Sequence, residues 1–265
     1  MTHRIAHISD VHFGRIAHPE IVERLVQDVN AAAVDLVVVS GDLTQRAFPH
    51  QFNAARALLD SFTAPYLVVP GNHDVYAWWR PVMRLARPLR RYRKYISPDL
   101  MPRFEQEGLA VLGLNSAFGP TVKGGRIGKR GRMAIREFFG AQRDDVFKVL
   151  VVHHHLTKIH ALGRHDVARN AKQALETITE MGVDLLLCGH LHISHIEPLE
   201  IVPARHRLVI ASAGTATSSR GRKSNKNTNF YNLITIEANA FSIEERTFIS
   251  GEQGFERACV TEFNR

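Results

Sequence analysis

The chain has 265 residues, 45% of them hydrophobic and 23% charged, and carries a net charge of +8. That length supports a large buried core, and the composition excludes wholesale disorder. Two cysteines, Cys188 and Cys259, are too few for a disulfide scaffold, and no apolar run approaches the ~18 residues of a membrane span. Asp10 interrupts the first apolar stretch too early for a secretory leader, and with so few cysteines a reducing cytoplasm is the expected compartment. The charge is uneven. Residues 76–103 hold eight Arg/Lys against one acid, residues 120–136 six against none, and residues 218–226 four against none. Basic connecting segments of this kind suit an anionic ligand such as a phosphate ester, a nucleotide or a membrane head group, with nucleic acid less favoured.

In chain order, Arg4 to Ile8 is a short apolar run that predicts a buried strand ending at Ser9-Asp10. A helix follows from about Pro19, with Ile21, Val22, Leu25, Val26 and Val29 at helical spacing. Leu36 to Val39 is apolar throughout, as in a strand covered on both faces, and ends in Ser40-Gly41-Asp42. A second helix carries Phe52, Ala55, Leu58, Leu59 and Phe62. The strand Tyr66 to Val69 then leads into Pro70-Gly71-Asn72-His73-Asp74. Residues 76–103, rich in Arg and holding Trp78 and Trp79, read as a basic cap-like insertion in an otherwise single domain. Further strands are expected at Leu109–Leu114, Val146–Val152 and Asp184–Leu187, with helices at Met133–Gln142 and around Ala171–Met181. After His192 the helices stop. Strands at 193–202, 207–211, 231–237 and 241–248 suggest an antiparallel sheet forming a second layer, with a long polar loop at 214–229.

Alternating apolar strands and helices predict an α/β fold with parallel pairing, in which ligands gather beyond the carboxyl ends of the strands. Those ends hold Asp10 and His12, Asp42, Asn72 with His73 and Asp74, the run His153-His154-His155, then His190 and His192. Singly, Asp10, Asp42 and Asn72 read as turn formers or helix caps. Together, carboxylates and imidazoles converging on one rim suit divalent ions, because crowded buried carboxylates need a neutralising cation.

Asp10-Val11-His12, Gly41-Asp42, Gly71-Asn72-His73-Asp74, the histidine run and Gly189-His190-Leu191-His192 resemble, in that order, the calcineurin-like metallophosphoesterases. These include purple acid phosphatases, nucleases and bacterial cyclic-nucleotide phosphodiesterases, and the layout is most similar to the last. The resemblance implies a four-layer α/β/β/α sandwich, two mixed sheets flanked by helices, around two divalent ions (Mn, Fe, Zn or Mg). By that resemblance Asp10, His12 and His192 bind one ion, Asn72, His190 and one histidine of the run bind the other, and Asp42 bridges them. His73 would protonate the leaving oxygen and Asp74 would orient it. Within the run, aligning Leu156 with the proline common in the family selects His154, with His153 and His155 open as alternatives. The implied mechanism is attack of a metal-bound hydroxide on a phosphodiester such as a cyclic nucleotide.

Arg220, Arg222 and Lys223 lie in a polar loop and are candidates for binding phosphate oxygens. Asn115 and Ser116, ending a strand, are candidates for holding ligands in place. Three other functions fit parts of the pattern. A nuclease would need its basic segments joined into one groove. A phospholipid-head-group phosphoesterase would dock Trp78, Trp79 and the arginines on an anionic membrane surface. A metal-binding scaffold would recruit a partner without catalysis.

Overall fold

The computed structural model describes residues 2–159, 166–199, 208–221, 228–250 and 254–265. Its first half alternates β1 (His3–Ile8), α1 (Ile21–Ala31), β2 (Leu36–Val39), α2 (Pro49–Asp60) and β3 (Tyr66–Val68). Two short helices follow, α3 (Pro81–Ala86) and α4 (Arg90–Tyr95), then β4 (Arg103–Gln106), β5 (Leu109–Gly113), α5 (Lys129–Gly140), β6 (Phe147–Val151), α6 (Ala171–Glu180) and β7 (Leu185–Cys188). The remainder is strand: β8 (His195–Leu199), β9 (Leu208–Ser212), β10 (Phe230–Ile236), β11 (Ala240–Ile249) and β12 (Gly254–Asn264).

These strands make two six-stranded mixed sheets, ordered β12-β11-β10-β1-β2-β3 and β4-β5-β6-β7-β9-β8. Period-two alternation explains the layering. Along β2, Leu36 and Val38 face the second sheet while Val37 and Val39 face α1 and α2. Along the second sheet, Val149 and Val151 point inward and Leu150 and Val152 meet α5 and α6. The molecule is thus an α/β/β/α sandwich with an apolar seam between the sheets. Residues 76–103 are partly anchored in it: Leu89, Tyr92 and Ile96 of α4 and its flanks are buried with α2.

The late strands do not form a sheet of their own. β9 runs parallel to β7 and carries β8 on its edge, whereas β10 pairs antiparallel with β1 and brings β11 and β12 into the first sheet. Long-range pairing decides the sheet, and strand-length patterns hold no information on it. No helix among the described residues is long and apolar enough to cross a membrane.

Candidate metal centre

All the strand-end motifs open at one rim of the sandwich. Asp10 and His12 follow β1, Asp42 follows β2 and Asn72 follows β3, while the histidine run follows β6 and His190 and His192 follow β7. The turns are tight. Asp10, His12, Asp42, His190 and His192 all have positive φ, between 51° and 72°. They are five of the eight such non-glycine residues among those described, and each such conformation typically costs about 1–3 kcal/mol. The strain is concentrated where the side chains must converge. Glycine is required beside them for clearance: a Cβ on Gly71 would lie 2.1 Å from Asp42 Oδ1, and one on Gly189 only 1.8 Å from Ser9 Oγ.

Two groups of donor atoms result. Asp10, His12, Asp42 and His192 place ligating atoms within 4.8 Å of one another, as do His153, His154 and His190. Asp42 joins them, with Oδ2 3.6 Å from His12 Nε2 and 3.4 Å from His153 Nε2. Asn72 stands on the second side, its Oδ1 3.2 Å from His153 Nε2 and 2.9 Å from His190 Nδ1.

The three consecutive histidines diverge. His153 faces Asp42 and Asn72. His154 binds Ser116 Oγ through Nδ1, at 2.8 Å, while remaining within reach of His153 and His190. His155 turns away to Ser212 Oγ, 3.1 Å, and to the Cys188 sulfur. Ser116 also accepts the main-chain N–H groups of His153 and His154, which fixes the turn.

The donor set fits divalent cations. His12 and His192 donate their Nδ1–H groups to the carbonyls of Thr44 and Arg220, so both Nε2 atoms present lone pairs. Those atoms face each other at 3.2 Å. His153 likewise donates Nδ1–H to Ser40 O at 2.8 Å and turns Nε2 toward two oxygens. Facing lone pairs repel unless a cation lies among them. Asp10 Oδ1 and Asp42 Oδ2 are buried and accept no hydrogen bond among the described residues. Burial works to raise both carboxyls, but the His192 and His12 rings at Asp10 and the His153 and His73 rings at Asp42 hold them well below the usual carboxylate range. Burial works to lower His153, yet the Asp42 charge pushes it up to about 9. Positive charge is thus in demand among these oxygens: a proton on His153 supplies part of it, and a divalent cation would displace that proton.

A cleft of about 260 Å³ opens beside the rim, lined by Asn72, His73, Gln45, Trp78, Lys123 and Arg220 among others. His73 donates its main-chain N–H to Asp42 Oδ1 and sets Nδ1 2.9 Å from the carbonyl of Gln45. The expected contact between Asp74 and the His73 side chain is not made. Asp74 instead accepts the N–H groups of Leu43, Thr44 and Gly71 and the Thr44 hydroxyl, stapling the β2 and β3 turns together. Burial, followed by the Asp42 charge, pushes Asp74 up to about 7. Gln45 was not legible as a site residue: it acts on His73 through its carbonyl, and its side chain receives Arg220 Nη1 at 3.0 Å. Lys123 is legible only as part of a basic segment. Arg220 lines the cleft, whereas Arg222 and Lys223 lie outside the described residues.

The calcineurin-like phosphoesterase model matches residues 3–194. A glycerophosphodiester phosphodiesterase GpdQ of Enterobacter lignolyticus is 36% identical over 94 residues, covering 32% of this chain and 34% of that protein. A probable cyclic nucleotide phosphodiesterase of a Psychrobacter species is 24% identical over 184 residues, 66% of this chain and 50% of its own. The chain therefore spans a third to a half of the length of these curated relatives. Among solved structures, a yellow-lupin purple acid phosphatase superposes with a TM-score of 0.77 at 11% identity, covering 100% of this chain and 54% of that one. A dimetal phosphatase of Danio rerio does so with 0.66 at 12% identity, covering 99% and 98%. Low identity at that similarity speaks for the fold, and the motif-bearing match over most of the chain speaks for more: the chain belongs to the calcineurin-like phosphoesterase family.

Proposed function

We propose that this chain is a binuclear-metal phosphodiesterase acting on a small phosphodiester, such as a cyclic nucleotide or a related ester. One observation carries the binuclear part: Asp42 Oδ2 stands between His12 Nε2 and His153 Nε2, so a single carboxylate oxygen serves both donor groups. Asp10, His12, Asp42 and His192 would hold one ion, and Asp42, Asn72, His153 and His190 the other. His153 replaces His154 in this assignment because its free nitrogen, unlike that of its neighbour, faces both Asp42 and Asn72. Ions bound there supply Lewis acidity and a nucleophile at neutral pH, which removes the need for a serine or cysteine nucleophile.

The chain's own groups do the rest. Arg220 and Lys123 bring positive charge to the cleft wall, where a phosphoryl group's oxygens would rest. As the new P–O bond forms and the ester P–O bond breaks, the leaving oxygen requires a proton. His73 is placed to give it: Nδ1 is held by Gln45 O, which leaves Nε2 as the exchangeable position. Burial lowers His73 to about 4, with the Asp42 charge working against that. An anionic ester entering the cleft adds another negative charge and favours the imidazolium. The relatives named for glycerophosphodiester and cyclic-nucleotide hydrolysis support a small diester over a polymer.

The test is hydrolysis of bis(p-nitrophenyl) phosphate by the purified chain with Mn(II). The expected result is turnover abolished by chelator and by Asp42→Asn, while His73→Ala slows hydrolysis of 3′,5′-cyclic AMP, whose alkoxide leaving group needs a proton, about 10²–10⁴-fold and that of bis(p-nitrophenyl) phosphate far less. Wild-type turnover no faster than that of Asp42→Asn would reject the proposal.

A further inference from the structure

One surface feature plays no part in the metal centre. Trp78, Val82, Leu85 and Val122 are 66%, 75%, 63% and 58% exposed, and Trp79 is nearly half exposed. The tryptophans stand ring-edge to ring-face at 5.8 Å, without burying each other, and the Arg46 guanidinium sits 5.5 Å from the Trp79 ring. Large apolar side chains grouped beside a functional cleft mark an interaction face. Trp78 and Val122 both line the cleft that contains His73 and Arg220.

The segment that carries this apolar tip is basic. From Val75 to Pro98 the sequence has no acidic residue. Arg80, Arg87, Arg90, Arg93, Lys94 and Lys123 are exposed, and none forms an ion pair among the described residues. The face is also tied to the site by hydrogen bonds. Arg84 is buried and donates to the carbonyls of Tyr76 and Thr121, tying α3 to the loop that carries Val122. The carbonyl of Val122 in turn accepts from Asn72 Nδ2 at 3.4 Å.

We propose that this face docks the mouth of the cleft on an anionic lipid surface, with Trp78, Trp79, Val82, Leu85 and Val122 entering the head-group region and the arginines meeting lipid phosphates. An apolar insertion combined with a basic patch is the pair of signals that peripheral docking requires, and indole rings favour the head-group level. The competing occupants fit less well. A second copy meeting this face symmetrically would set cation against cation. Nucleic acid would satisfy the arginines but leave Val82 and Leu85 without an apolar partner. Docking requires no turnover. Its bearing on substrate, that the phosphoester is presented in a lipid head group, rests on the phosphodiesterase proposal above.

The chain's two tryptophans are Trp78 and Trp79, so its intrinsic emission reads this face alone. The full chain, with Mn(II), is mixed with phosphatidylcholine vesicles or with vesicles also containing phosphatidylglycerol, and emission and co-sedimentation are followed at low and high salt. The expected result is a blue shift and pelleting with the anionic vesicles, weakened by salt. Val82→Ser with Leu85→Ser is expected to weaken partitioning about tenfold while bis(p-nitrophenyl) phosphate turnover persists. No emission shift would overturn the proposal, and so would vesicle binding untouched by the double substitution. It would equally be overturned by a dimer that the substitution dissolves, or by a shift with single-stranded DNA and none with vesicles. Turnover measured on the same preparations separates the two proposals: turnover without vesicle binding ends only the docking, and vesicle binding without turnover ends only the phosphodiesterase.

Discussion

At the scale of single residues, the histidine run shows what sequence can and cannot carry. Adjacent side chains in extended backbone point to opposite faces, so alternation groups His153 with His155 and leaves His154 apart. The turn after β6 breaks that alternation. His153 reaches Asp42, His154 is held by Ser116, and His155 faces Ser212. The choice depends on Ser116, 38 residues from His154, a contact that no local pattern encodes. Metal analysis of purified variants checks the assignment. His153→Ala should lose most of its bound metal, since it removes a nitrogen facing both Asp42 and Asn72. His154→Ala should keep metal and lose some stability. The reverse order of metal contents would return the ligand role to His154. The aspartates and the His-x-His pair were easier to read, because their positions at strand ends and their chemistry both point to one rim.

At the scale of elements, the parallel βα units were legible because local periodicity suffices for them: α1, α2, α5 and α6 follow their apolar stripes, and β2 and β6 are apolar throughout. β12 was missed because its outer residues are exposed and polar, Glu256 and Arg257 among them, so an edge strand held by β11 looks like loop in sequence. The Asp74 staple is a further element-scale feature that the motif conceals. Its carboxylate satisfies three main-chain N–H groups from two turns, and leaving such groups buried and unpaired costs about 1–3 kcal/mol each. Asp74→Ala should therefore lower unfolding stability by about 3–5 kcal/mol in urea titrations, with loss of activity following from displaced turns. A variant as stable as wild type but inactive would show that Asp74 serves His73 after all.

At the scale of the whole molecule, the donors come from both sheets: Asp10, His12, Asp42 and Asn72 from the first, and His153, His190 and His192 from the second. Elsewhere the sheets meet through an apolar seam of Ile5, Val38, Val111, Val149 and Leu187. At the rim they meet through buried carboxylates and the facing Nε2 atoms of His12 and His192, where like atoms repel. Cations bound there would fasten one sheet to the other, so metal should appear in the global stability. A single site loaded at a hundred times its dissociation constant contributes about 2.7 kcal/mol, and for a chain of this size each kcal/mol moves the midpoint by roughly 2–4 °C. Chelator should then lower Tm by about 5–10 °C, read by calorimetry with and without Mn(II). Asp42→Asn supplies the complementary arm. The amide oxygen can still accept from the His73 N–H, while the buried charge is gone. In chelator the variant should melt below wild type, because the charge that His153 pairs with is lost, and Mn(II) should move it little. If wild type melts at the same temperature with and without metal, the rim is not a cation site, and its strained turns and facing nitrogens need another explanation.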